Sequence, residues 1–144
     1  MGWQWSEAQS WGGLYLGLRH GYLDLDPDDP ANRDRGHRWR GKLQVEGETA
    51  ISEAWRANLI ASHLFGSSNH WARLRLQTVL AKGWHAGPEV ISLSAPDHRA
   101  WQLGGYLGNL RLGAASYLTV KAGVRKAEGE STSGYVGAEL YLPF

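Results

Sequence analysis

The sequence predicts an all-β protein: an antiparallel up-and-down β-barrel of about eight strands, of the outer-membrane type. Three observations carry that prediction. Apolar and polar residues alternate with period two along most of the chain and never change to a helical period. The alternating runs follow one another at spacings of about 10–20 residues with short connections, so neighbouring strands run antiparallel, because a parallel crossover needs a helix. Nineteen glycines and eight tryptophans in 144 residues exceed ordinary usage, about 7% for Gly, and glycine spread through strands marks bends and close backbone approaches.

Taken in order, residues 1–10 form an N-terminal segment and residues 11–144 the barrel domain. The first expected strand, 11–25, sets Leu14, Leu16 and Leu18 against Tyr15 and Arg19. The second, 37–50, is the most regular: Arg38, Arg40, Lys42, Gln44, Glu46 and Glu48 share one face, and Trp39, Gly41, Leu43, Val45 and Gly47 the other. In the third, 55–65, Ala57, Leu59 and Ala61 oppose Arg56, Asn58 and Ser62. In the fourth, 71–82, Ala72, Leu74, Leu76 and Leu80 oppose Arg73, Arg75 and Gln77. The fifth, 87–94, has the least regular pattern and carries Glu89. The sixth, 98–110, sets Trp101, Leu103, Gly105 and Leu107 against Gln102 and Tyr106. In the seventh, 117–126, Leu118, Val120, Ala122 and Val124 oppose Thr119, Lys121 and Arg125. The eighth, 134–143, gathers Val136, Ala138, Leu140 and Leu142, with Phe144 beyond it, against Tyr135, Gly137, Glu139 and Tyr141. Pairing the first strand with the last would hide both edges. The connections after the odd strands, 26–36, 66–70, 95–97 and 127–133, include the two longest. That parity matches long extracellular loops and short periplasmic turns, although 95–97 is shorter than the pattern asks.

Composition narrows the function. The length suits one domain. A net charge of +1 excludes a nucleic-acid binder that works by bulk electrostatics. The absence of cysteine excludes a disulfide framework and a thiolate metal site. No run approaches the ~18–20 apolar residues of a spanning helix, but a spanning strand needs only about 9–11 residues and shows lipid at alternate positions. Residues 1–10 have neither a basic start nor an apolar run, so an envelope location requires a signal already removed or a chain that is a fragment.

Alternation does not say which face is inside. A soluble, lipocalin-like barrel would line its interior with Leu74, Leu76, Val120 and Leu140 and bind an apolar ligand. A membrane barrel inverts the faces, and four features favour it. Trp11, Trp39, Trp55, Trp71, Trp84 and Trp101 fall near strand ends and turns, as interfacial girdles would. The apolar face is rich in Leu, Val, Ala and Gly and nearly lacks Phe, Ile and Met, a poor choice for a dense core. The polar face mixes both signs of charge with Tyr. The end of the chain at Phe144, with apolar residues at alternate positions before it, resembles the carboxy-terminal signal read by the outer-membrane barrel assembly machinery. The expected location is therefore the outer membrane, with its lipid as the first partner.

The lumen-facing polar candidates are Arg19, Arg38, Arg40, Lys42, Arg56, Arg73, Arg75, Lys121 and Arg125 against Glu46, Glu48, Glu89 and Glu139. A narrow barrel uses such residues as a plug of ion pairs. A path or site for an anionic or polyhydroxyl ligand is the functional alternative, with Tyr15, Tyr106, Tyr117 and Tyr141 as candidates for stacking on sugars. Asp24, Asp26, Asp28, Asp29 and Asp34 look at first like a calcium loop. A register starting at Asp24 needs Gly sixth and Glu twelfth and finds Asp29 and Arg35, so this reads as an extracellular loop. His20, His37, His63, His70, His85 and His98 form no HxH or HxxxH pair, so no metal ligand is assigned. Ser62, Ser67, Ser68, His63 and His70 supply the residue types of lipid A deacylases and acyltransferases without a motif to place them. That leaves an envelope enzyme acting on lipid A or acyl chains as the alternative, with no catalytic residue and no cofactor assigned.

Several motifs resemble the BcsS family of cellulose biosynthesis proteins: Asp28-Asp29-Pro30-Ala31-Asn32-Arg33, Gly36-His37-Arg38-Trp39-Arg40-Gly41-Lys42 with Glu46, Trp71-Ala72-Arg73-Leu74-Arg75, Gly87-Pro88-Glu89, and the close from Gly134-Tyr135 to Phe144. The similarity covers roughly residues 12–144. It implies a non-enzymatic outer-membrane barrel that helps bacterial cellulose (exopolysaccharide) production or secretion, with polysaccharide or cellulose-secretion components as partners and no catalytic residues to transfer. Members of the family usually carry further strands and a signal peptide before the part corresponding to Trp11. This chain has residues 1–10 there, so a fragment with unpaired strand edges, or a shorter relative closing with eight strands, is expected.

Overall fold

A computed structural model describes residues 1–24, 26, 35–67, 69–96, 98–113 and 115–142. Nine strands follow one another: β1 (Gly2–Glu7), β2 (Ser10–Leu23), β3 (Gly36–Ala50), β4 (Arg56–Leu64), β5 (His70–Val79), β6 (His85–Ala95), β7 (His98–Arg111), β8 (Tyr117–Ala127) and β9 (Ser133–Tyr141). A single 3₁₀ turn, Ala81–Gly83, joins β5 to β6. Every strand pairs antiparallel with its sequence neighbour, giving one sheet in the order β1 to β9. This is the meander that period-two alternation and short connections dictate.

One expectation is corrected. The described residues form nine strands rather than about eight, because Gly2–Glu7 pairs along β2 from Gly2↔Tyr15 to Glu7↔Ser10. Its alternation was hidden by polar and aromatic residues: Trp3 and Trp5 stand on one face, Gln4 and Ser6 on the other. Among the described residues β1 pairs only with β2 and β9 only with β8, so the described ladder is an open nine-stranded sheet. The motif 28–33, Asp28, Asp29, Asp34, Ser68 and Phe144 lie outside the described residues.

Register decides the faces, because residues directly opposite in a ladder point to the same side. Tyr15↔Gln44, Gln44↔Ser62, Ser62↔Trp71, Trp71↔Leu93 and Leu93↔Ala100 trace the polar side from β2 to β7, and Tyr106↔Lys121↔Gly137 continues it to β9. The other side carries Leu14, Leu16, Leu43, Val45, Leu59, Leu74, Val90, Leu103, Val120, Val124, Val136 and Leu140. The sheet curls toward its polar face. Arg75 on β5 reaches Glu139 on β9, four strands away, and Gln77 on β5 reaches Glu48 on β3. Burial follows the curl and inverts the usual order. Glu89 is 1% exposed and Arg75 9%, whereas Leu140 is 58% and Val136 86% exposed. Leu74, Leu76, Val120 and Leu140 are therefore on the convex surface, not in an interior.

Close packing within the curl is built on glycine. Gly104 and Gly123 face each other across β7 and β8. A Cβ on Gly104 would collide with the Ala122 carbonyl and lie 2.6 Å from the Tyr135 hydroxyl, and one on Gly123 would collide with the backbone of Leu103 and Gly104. The missing side chains let Tyr135 of β9 lie across β8 toward Glu89. The β7–β8 register shifts between Leu107 and Leu110, a bulge in which Asn109 takes a positive φ of 59°, and the β5–β6 ladder skips from Arg75↔Glu89 to Thr78↔Ala86 around Pro88.

Candidate functional site

The concave face is a connected set of polar side chains. At its centre, Glu89 accepts from Arg75 Nε through Oε2, while Lys121 Nζ stands 3.6 Å from its other oxygen. Glu139 joins from β9: Arg75 Nη2 donates to both its oxygens at 3.1 Å, Lys121 Nζ donates to Oε1 at 2.7 Å, and Arg73 Nη1 lies 3.5 Å away. The Arg75 guanidinium also sits over the Tyr106 ring, 4.6 Å from its centroid, a cation–π contact. Tyr106 Oη donates to Gln77 at 3.4 Å, Gln77 Nε2 donates to Glu48 at 3.3 Å, and Glu48 accepts from Arg56 Nε. A second branch runs from Gln4 Nε2 to Tyr15 Oη, on to Glu46 at 2.9 Å, with Gln44 and Lys42 beside it. Arg73 Nε, Glu89 Oε1 and Tyr135 Oη are buried without a hydrogen-bond partner among the described residues.

Register puts each polar candidate on this concave side. Arg73, Arg75, Glu89, Lys121 and Glu139 meet in the central cluster, and Arg56 and Glu48 adjoin it. Lys42 and Glu46 belong to the branch on β3. Arg19, Arg38 and Arg40 stand apart, lining a cleft of about 200 Å³ with Leu64 and Asn69 near the β2–β3 connection. Arg125 is also separate, its Nη2 3.4 Å from His98 Nε2. The four tyrosines divide. Tyr106 is covered by Arg75, and Tyr15 is tied to Gln4 and Glu46, whereas Tyr117 and Tyr141 pair directly across β8 and β9 near the sheet end, with Tyr141 exposed.

Sequence reasoning missed some neighbours and over-read others. His20 and His37 are 17 residues apart yet their ring nitrogens lie 3.2 Å apart, and with Tyr22 and Trp39 they form a ladder of rings on the convex face. Only the β2–β3 register brings them together. Trp3 and Trp5 stack at 4.9 Å on the same face. Of the tryptophans expected in girdles, Trp39 and Trp101 are convex and Trp55 and Trp84 lie in turns, but Trp11↔Glu48 and Trp71↔Ser62 put Trp11 and Trp71 on the polar face. Ser62 and His63 are strand neighbours and so point to opposite faces, while Ser67 Oγ is engaged with Leu64 O and the Asn69 amides. Among the described residues no serine is hydrogen-bonded to a histidine, and no group of three metal-ligating residues converges. No helix is long and apolar enough to cross a membrane, which says nothing of crossing by strands.

The curled meander is an all-β antiparallel sheet with an apolar convex face and a charged concave one. The chain belongs to the family described as cellulose biosynthesis protein BcsS, whose model matches residues 1–144, the whole chain. Neither a curated protein nor a solved structure matches it. The family links the chain to cellulose biosynthesis.

Proposed function

We propose that the protein is a non-enzymatic outer-membrane β-barrel, an accessory of bacterial cellulose secretion. One observation carries the reading: from β2 to β9 the middle of the convex face bears no charge, while the concave face holds the ion-paired cluster. Bringing such a face into lipid is favourable, whereas exposing it to water leaves Leu, Val and Ala uncovered across the sheet. In the bilayer an open edge is untenable, so β1 and β9 are covered there by strand pairing that closes the wall.

The Arg75–Glu139 bridge spans the concave face and fills it with paired charge. A glucan therefore does not thread past this level. Its contact lies at the sheet end, where the Tyr117 and Tyr141 rings offer faces to a polyhydroxyl chain. Such a role needs other secretion components to supply the conduit. The reading is tested in a cellulose-secreting Gram-negative bacterium by deleting the gene and, in the parent strain, separating the membranes by density. Loss of exported cellulose with the protein in the outer-membrane fraction is expected. Unchanged export, or recovery of the protein in the soluble fraction, contradicts it.

A further inference from the structure

We propose that the convex face of β6–β8, at the end bearing the β2–β3 connection, is a docking site for a phosphate-bearing membrane lipid. The inference rests on the outer-membrane reading. Arg99 and Trp101 alternate on β7, Trp101 is paired directly with Ser92 on β6 and with Lys126 on β8, and Arg99 with Ser94. Together with His70 and Glu128 they line an open groove of about 550 Å³. Arg99 and Lys126 are exposed and make no side-chain hydrogen bond or ion pair among the described residues, and Glu128 is the one acid described in the groove wall.

What makes the groove a lipid site is the column beneath it. Moving along β7 and β8 from the cations, the facing pairs on this side are Leu103↔Val124, Gly105↔Ala122 and Leu107↔Val120. At about 3.3 Å per residue, that is roughly 20 Å of uncharged surface from Lys126 to Val120. Its lower part is a shallow apolar depression, where Gly105, Ala122 and Ala138 stand lower than Leu107, Val120 and Val136. Two cations and an amphipathic tryptophan above a dry furrow match an anionic headgroup with an acyl chain below. They do not match a soluble anion, which has no use for the furrow. In water the cations need no partner. Held at the interface, they gain from an anionic headgroup, roughly fivefold in affinity per residue.

The test uses the full chain folded in dodecyl maltoside micelles and native mass spectrometry to count bound lipids. Lipid A, phosphatidylglycerol and phosphatidylcholine are the probes, and inorganic phosphate is the soluble competitor. Retention of the two anionic lipids over phosphatidylcholine is expected, undisturbed by millimolar phosphate and reduced roughly thirtyfold in Arg99→Gln/Lys126→Gln. Arg99→Lys should keep the preference, which separates loss of charge from loss of fold. Equal retention of all three lipids, or no effect of the double variant, overturns the site while leaving the barrel reading intact. Competition by phosphate overturns it in favour of a soluble anion. A chain that folds without detergent overturns both.

Discussion

Glu89 is the residue whose removal the structure judges most severely. Its side chain is fully buried, and it is held between Arg75 and Lys121 on strands to either side. Glu89→Ala leaves two cations short of a counter-charge in a site with little access to water. Breaking one side of a buried ion pair costs about 3–5 kcal/mol. The lower end applies, because Arg75 still donates two bonds to Glu139 and Lys121 one. Glu139→Ala costs less, about 1 kcal/mol, since that side chain is 38% exposed and water replaces part of the interaction. Removing both carboxylates leaves Arg73, Arg75 and Lys121 with no acid in the cluster. The double variant should then exceed the sum of the singles by about 1–2 kcal/mol, as expected for residues in one network. Reversible urea unfolding in detergent micelles, followed by tryptophan emission, measures all three. A loss below about 0.5 kcal/mol for Glu89→Ala, or strict additivity in the double variant, would refute the claim that this cluster is the centre of the interior.

Further outcomes follow from the same geometry. Arg56→Ala should cost under about 1 kcal/mol in the same assay, because the Arg56–Glu48 pair is partly open to solvent. Gly104→Val should destabilise by about 1–3 kcal/mol, because the added side chain enters space held by the Ala122 carbonyl and the Tyr135 hydroxyl. If the convex face meets lipid, Leu74→Arg and Val120→Arg should each cost about 2–4 kcal/mol in vesicles. Replacing Tyr117 and Tyr141 by Ala should weaken retention on immobilised cello-oligosaccharides roughly tenfold or more, while Tyr106→Phe, buried under Arg75, leaves retention unchanged.

The legible parts of this fold were those that depend on one strand at a time. Period two in 37–50 gives β3 and both its faces without any partner, and the same holds for β5 and β8. Gly2–Glu7 was illegible because six residues of mixed Trp, Gln and Ser carry no apolar stripe; only pairing with β2 defines them. Polar-face membership was readable residue by residue, yet the convergence of Arg75, Glu89, Lys121 and Glu139 was not. It needs the curl that carries β9 back over β5, packed through facing glycines such as Gly104 and Gly123, whose spacing in sequence does not announce their contact. The stacking of His20 on His37 was hidden for the same reason. Trp11 and Trp71 were misassigned to girdles because position near a strand end was weighed without parity.

Which medium the convex face meets decides between a membrane barrel and a water-exposed sheet. The chain has no native cysteine, so single spin labels can be placed at Val90, Val120 and Leu140 on that face and at Asn58, Thr119 and Gln102 on the other, in protein refolded into lipid vesicles. Power saturation with oxygen, which partitions into hydrocarbon, and with a water-soluble nickel chelate then reports the surroundings of each. A convex face in lipid makes the first three sites respond to oxygen and shields them from nickel, with the reverse order for the second three. Nickel access at Val90, Val120 and Leu140 would contradict it.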